Sequence, residues 1–198
     1  MALPVPQVHT CSFEEFLNLG GDGNRYEWVD GRLIVTPVRS TVSRTRFVLT
    51  CVLDDFVLAQ NGGCVGGQQA ILLGPARGRV PDIYFVTWDR EHVMPAPPHD
   101  MLNGAPELAV EVLSPGAEAE QGDRIYKREQ YGRAGVLEYW IVDPAARTFE
   151  VYRAADGELR LVATLGADDM LTTPLLPGFT LSLPELWRRA EPPRPRSG

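Results

Sequence analysis

Lysine is nearly absent from this 198-residue chain: of its 19 basic residues, 18 are arginine and only Lys127 is lysine. Arginine carries ordinary positive charge almost everywhere here, so the exception calls for a reason. Positive charge itself is in deficit. The 26 Asp+Glu against 19 Lys+Arg give a net charge of −7, which argues against a protein that coats nucleic acid through bulk charge and leaves room only for a local basic groove. Cysteine is scarce as well. Cys11, Cys51 and Cys64 are odd in number, widely spaced and without a CxxC pair, so neither a disulfide framework nor a zinc site is expected. His9, His92 and His99 lack metal-ligand spacing and read as loop residues. Long apolar runs are missing too. Phe47 to Val52, broken by Thr50, falls well short of the roughly 20 residues of a membrane helix. No basic segment precedes an apolar stretch in Met1 to Thr10, so a cytoplasmic protein with no secretory signal and no membrane partner is expected. There is no internal repeat.

What is present suits a globular domain. Hydrophobic residues make up 44% and charged residues 23%, near the ordinary soluble values, and the length predicts a single domain over residues 1–190 with a frayed, Pro- and Arg-rich tail at 191–198. Ser12-Phe13-Glu14-Glu15 is a capping box that opens a short helix to about Leu19. Asp30-Gly31 tolerates the positive φ of a two-residue turn, pairing Tyr26–Val29 with Arg32–Val35 as an N-terminal hairpin. Val42, Phe47, Val48, Cys51, Val52, Leu53, Phe56 and Val57 recur at helical spacing and predict a long helix from Ser40 to about Gln60. Cys64–Leu73 reads as one extended segment, Gly74–Arg79 as a loop, and Asp82–Trp88 as a strand that Pro81 precedes. After the proline-rich connection Arg90–Gly104 comes Glu107–Leu113, an apolar run suited to a strand covered on both faces. A second long helix is expected from Glu118 to about Arg133, then strands at Leu137–Val142, Thr148–Arg153, Leu159–Leu165 and Phe179–Leu183, and a last helical turn at Pro184–Trp187. The central order of helix, strand, strand, strand, helix, strand means a layered α/β domain.

Two features carry chemistry. Glu111 stands alone in Leu108-Ala109-Val110-Glu111-Val112-Leu113, where an unpaired charge costs several kcal/mol. A bound cation or a basic partner must compensate it. Asp82 begins the preceding strand, and neighbouring strands lie about 4.8 Å apart, so the two carboxylates can share one ion. Oxygen ligands with water filling the other positions are what Mg²⁺ accepts. In the competing reading Asp82 caps a turn and Glu111 pairs with an arginine. Lys127, a compact charge on a flexible stem, suits a phosphate oxygen or an attacking water. It shares a helix face with Asp123 and Tyr131, so a routine surface ion pair with Asp123 is its plainer role.

Tyr26-Glu27-Trp28-Val29-Asp30-Gly31-Arg32-Leu33, Val80-Pro81-Asp82, the segment Pro106–Pro115, Asp123 with Lys127 and Tyr131, and the segment Gly135–Pro144 resemble the Uma family of bacterial endonucleases, assigned to the PD-(D/E)XK, restriction-endonuclease-like superfamily. The resemblance spans residues 12–187. It implies a restriction-endonuclease-like α/β core with a mixed central sheet flanked by helices, carrying the N-terminal hairpin and the C-terminal antiparallel strands. It further implies a nuclease site in which Asp82 and Glu111 bind Mg²⁺ or Mn²⁺, the backbone carbonyl of Val112 adds an oxygen, and Glu27 is an outer ligand. Leu113 occupies the place of the superfamily's lysine, and Lys127 resembles a relocated one. Ala117 and Ser43-Arg44 depart from the family's usual threonine and histidine.

On this basis Asp82, Glu111 and Lys127 are the expected catalytic set for hydrolysis of phosphodiesters in DNA, with Arg44, Arg46 and Tyr131 toward the substrate. Arg39 extends the basic run. Cutting both strands of a duplex needs two sites, which makes a homodimer the expected assembly. The rival expectation is a protein that keeps the fold as an interaction or regulatory module without cutting. A small phosphoester as substrate would use the same ligands.

Overall fold

The computed structural model describes residues 7–19, 24–37, 43–74, 77–94, 101–113 and 122–191. Along them run β1 (Gln7–Thr10), α1 (Phe13–Leu17), β2 (Asn24–Val29), β3 (Arg32–Pro37), α2 (Ser43–Gln60), β4 (Gly63–Gly66), β5 (Ile71–Leu72), β6 (Arg77–Arg79), β7 (Ile83–Thr87) and β8 (Leu108–Val112). Then follow α3 (Arg128–Ala134), β9 (Glu138–Asp143), β10 (Thr148–Ala155), β11 (Glu158–Leu165), β12 (Met170–Thr172), β13 (Thr180–Ser182) and α4 (Leu183–Ala190). A 3₁₀ turn at Trp88–Val93 follows β7, and a π-helical turn at Gly122–Lys127 leads into α3.

The capping box forms: Ser12 Oγ accepts from the Glu15 amide at 3.2 Å, and Glu15 Oε2 accepts from the Ser12 amide at 2.7 Å. Asp30 and Gly31 take φ of 49° and 79°, and the hairpin pairs Tyr26 with Val35 and Val29 with Arg32. This hairpin lies in a five-stranded sheet of order β1-β3-β2-β6-β5, antiparallel throughout. Its inner face is closed by Phe16, Trp28 and Leu33.

The larger sheet has the order β11-β10-β9-β8-β7-β4. Only β8 and β9 run parallel; the other neighbours are antiparallel. The sheet is mixed, and α2, β4, β7, β8, α3 and β9 supply the expected helix-strand-strand-strand-helix-strand core. Alternation along β8 decides what each face carries. Leu108, Val110 and Val112 pack with Val48, Leu49 and Leu53 of α2 and with Leu186 and Trp187 of α4. Ala109 and Leu113 pack on the opposite face with Tyr131 of α3 and Tyr139 of β9. Glu111 therefore belongs to the α3 face.

Several expectations need correction. Gly74–Arg79 is not all loop, because β6 pairs with both β2 and β5. The single extended segment Cys64–Leu73 is instead two strands in different sheets, separated where Gln68 takes φ of 58°. The sequence pattern gives no sign of β1, which pairs with β3, or of the three-residue β12, which pairs with the nearby β13 as Leu171 faces Leu181. The second helix is not one uniform run, since Gly122–Lys127 is wound as a π turn. The final helical turn extends to eight residues as α4, and the strands β10 and β11 complete the main sheet. Arg39, the stretch 114–121, His99 and the tail 192–198 lie outside the described residues.

Candidate functional site

Four elements bring one buried charge cluster together. On β2, Trp28 turns to the small aromatic core and its neighbour Glu27 turns the other way. On β6, a Cβ at Gly78 would meet the Phe16 ring at 2.6 Å. Any larger residue would have to push the Phe16 ring aside for β6 to pass beneath it, and the strand's alternation then carries Arg79 away from that ring. The β2–β6 register pairs Trp28 with Gly78, and one step further Arg79 Nη1 donates to Glu27 Oε2 at 2.8 Å. Glu27 Oε1 also accepts from the Val80 amide at 3.4 Å.

The helical side closes this arrangement. Lys127 ends the π turn, while Gln130 and Tyr131 follow at three and four residues on α3, so all three share a face. Lys127 Nζ lies 3.0 Å from Glu111 Oε1 and 3.2 Å from Glu27 Oε1. Tyr131 donates its hydroxyl to Glu111 Oε1 at 3.1 Å, and Gln130 Oε1 accepts from Arg79 Nε at 2.6 Å. Charges thus alternate from Arg79 through Glu27 and Lys127 to Glu111. Burial beside the Glu111 and Glu27 carboxylates pushes the Tyr131 hydroxyl well above its ordinary value, with Arg79 acting in the opposite sense. It stays protonated and remains a donor.

Asp82 stands at the entrance to β7, also buried. Its Oδ2 accepts the Val112 amide at 2.8 Å, which ties it to the peptide that follows Glu111. Its Oδ1 lies 3.3 Å from Arg46 Nη1 on α2. On the solvent side Asp82 forms part of a cleft of about 540 Å³ whose walls include Arg44, Arg46, Phe47 and Gln68. Arg44 Nε also donates to the carbonyls of Arg189 and Glu191 at 2.9 and 3.0 Å, so the end of α4 holds that side chain.

The structure brings Glu27, Glu111, Lys127 and Tyr131 into one cluster, with Asp82 and Arg46 linked to it through Val112. Tyr131, expected on the substrate side, is fully buried behind Glu111. Arg79 and Gln130 were not singled out from the sequence. Gln130 had a signal in its spacing from Lys127, whereas Arg79 sat in a segment that reads as loop. Two further buried carboxylates have local partners: Glu107 accepts from the Thr87 hydroxyl at 2.6 Å, and Glu138 accepts from Trp140 Nε1 at 2.6 Å.

The chemistry of the donors is oxygen-only. Among the described residues no three His, Cys, Asp or Glu side chains gather closely enough to hold an ion. Mg²⁺ ordinarily takes one or two protein carboxylates and keeps its waters, so Asp82 and Glu111 fit it by donor type without a full protein cage.

A model of the Uma2 family, described as "Putative restriction endonuclease", matches residues 13–184. No curated protein matches the chain. Among solved structures, a nuclease titled as putative and belonging to DUF820, from Anabaena variabilis ATCC 29413, superposes with a TM-score of 0.71 at 21% identity, covering 90% of this chain and 98% of that one. At that identity the likeness bears on the fold.

Proposed function

The chain belongs to the Uma2 family of restriction-endonuclease-like proteins, and from that premise we propose that it hydrolyses phosphodiester bonds in DNA with the help of Mg²⁺ or Mn²⁺. The observation that carries the reading is the placement of the chain's single lysine, buried against Glu111, while Asp82 is bonded to the next amide along β8. Asp82 and Glu111 would hold the ion, with the Val112 carbonyl and, further out, Glu27 as additional oxygens. When bound, the ion supplies Lewis-acid polarisation of the phosphate and a more acidic water.

The remaining work falls to the chain's own groups. Lys127 orients the attacking water or offsets negative charge developing on the phosphate. Tyr131 keeps its proton and holds Glu111 in place through the 3.1 Å hydrogen bond. Arg79 fixes Glu27, and Glu27 in turn helps to hold the Lys127 ammonium. Arg44 and Arg46 face the phosphate backbone. A homodimer would supply a second such site wherever both strands of a DNA are cut.

One observation favours the rival, non-cutting module: Glu27, Asp82 and Glu111 are each matched by Arg79, Arg46 or Lys127. Plasmid nicking in Mg²⁺ or Mn²⁺ tests the nuclease reading, comparing wild type with Asp82→Asn, Glu111→Gln and Lys127→Ala, each checked for folding by circular dichroism. Loss of about 10²-fold or more in each folded variant supports it. Wild-type cutting that survives all three changes removes this site. A wild type that neither cuts nor binds Mn²⁺ in calorimetry favours the module.

A further inference from the structure

The cleft beside Asp82 has features the charge cluster does not use. Phe47 is 66% exposed, although α2 already buries Val48, Leu49, Leu53 and Val57 in the core. Isolated exposed apolar side chains are ordinary, so its surroundings must decide. Arg44 and Arg46 flank it on a first helical turn that carries no acidic residue, and all three belong to the cleft that Asp82 also lines.

Gln68 forms part of the same wall with a left-handed φ of 58°. Its amide donates to the Pro81 carbonyl at 3.0 Å, and a Cβ at Gly67 would meet the Asp82 carbonyl at 2.2 Å. The loop is therefore pressed against the backbone that presents Asp82. A non-glycine residue held in this conformation is strained and persists only where its surroundings impose it. The backbone at Gln68 is thereby fixed, and its exposed side-chain amide lines the same cleft as the exposed Phe47 ring, together with the Arg46 guanidinium beside Asp82 and Arg44 beside the end of α4.

That combination matches the parts of a nucleotide. An aromatic face stacks a base whatever its identity, guanidinium groups take the phosphate, and a carboxamide hydrogen-bonds a base or sugar edge. A base inside continuous duplex is already stacked on both sides and has no free face to offer, whereas an unpaired one has. We propose that this cleft receives an unpaired nucleotide of a DNA strand, its base stacked on Phe47, its phosphate facing Arg44 and Arg46, and its edge against Gln68. The proposal rests on the nuclease reading and narrows its substrate to single-stranded, frayed or flapped DNA, with the scissile phosphate next to Asp82.

Fluorescence anisotropy in EDTA tests binding with no cutting, using labelled oligothymidylate and a duplex of equal length. The full chain binds the single strand about tenfold more tightly than the duplex. Phe47→Ala loses about tenfold or more on the single strand and little on the duplex, while Phe47→Trp retains the wild-type affinity. Equal loss on both substrates, no loss in Phe47→Ala, or no single-strand binding by the wild type overturns the subsite, even if plasmid nicking persists. Selective single-strand binding through Phe47 in a protein that cuts nothing upholds the subsite and sinks the nuclease reading instead.

Discussion

Lys127 Nζ stands 3.0 Å from Glu111 Oε1, with both side chains almost wholly buried. Neither charge has much water to return to. Removing one member of a buried pair leaves the other uncompensated, at a cost of about 3–5 kcal/mol, whereas removing both with shape retained is far milder. Lys127→Met and Glu111→Gln should each destabilise the fold strongly in urea denaturation, and the double variant by less than the sum of the two. Glu27 tempers the effect, because Arg79 continues to hold it once Lys127 is gone. Strictly additive losses would show that the two residues do not act as a pair.

Tyr131 offers a pH signature. Its folded-state proton affinity is raised by burial and by the carboxylates of Glu111 and Glu27, above the ordinary value of 10.0. The native state thus keeps a proton that the unfolded chain releases. The sign follows from linkage: stability is unaffected below about pH 10 and falls as the pH climbs toward the raised folded value, with a slope near 1.4 kcal/mol per pH unit from this group. Urea denaturation between pH 9 and pH 11 should show a steeper alkaline decline in wild type than in Tyr131→Phe. Parallel curves would exclude Tyr131 as the source.

Much of the site was legible because its residues are out of place in their sequence context. Glu111 interrupts an apolar strand, Lys127 interrupts an arginine-only chain, and the structure joins them. Asp82 could be placed next to β8 because the strand order follows from the helix-strand pattern. Arg79 was not legible. A three-residue strand with glycine at its centre, between Gly74 and Pro81, has the composition of a loop, and its strand character comes from pairing with β2, about fifty residues earlier. β1 escaped for the same reason, since it is defined by pairing with β3, whereas β12 escaped because three residues, Met170–Thr172, are too few to show alternation. The π turn at Gly122–Lys127 was also hidden, since one extra residue per turn barely disturbs a short periodic pattern. Lys127 and Tyr131 kept their common face because they meet at the start of regular α3.

Gly78 is the position on which the placement of Arg79 depends. Any side chain there enters the Phe16 ring, whose atoms lie 2.6 Å from an ideal Cβ. Gly78→Ala should cost about 1–3 kcal/mol, the usual range for an overpacked site. Pairing it with Phe16→Leu, which frees the space, should recover part of that loss. If Gly78→Ala is neutral in thermal denaturation, the ring moves aside readily and β6 is less constrained than its geometry implies.

Ion binding can be separated from cutting by its effect on stability. A ligand that binds only the folded state stabilises it by RT ln(1 + [L]/Kd), about 2.7 kcal/mol at a hundredfold excess over Kd. Mn²⁺ held by Asp82 and Glu111 should raise the melting temperature of the wild type, and EDTA should reverse the rise. Asp82→Asn retains an oxygen that can accept the Val112 amide but loses the charge, so it should melt near the metal-free wild type and respond little to Mn²⁺. Arg46→Gln moves the other way. It removes the guanidinium 3.3 Å from Asp82 Oδ1, a cation that competes for the same carboxylate, and should therefore bind Mn²⁺ more tightly while weakening contact with DNA phosphates. Equal melting shifts in wild type, Asp82→Asn and Arg46→Gln would place the ion away from this carboxylate and leave Asp82 with a structural role alone.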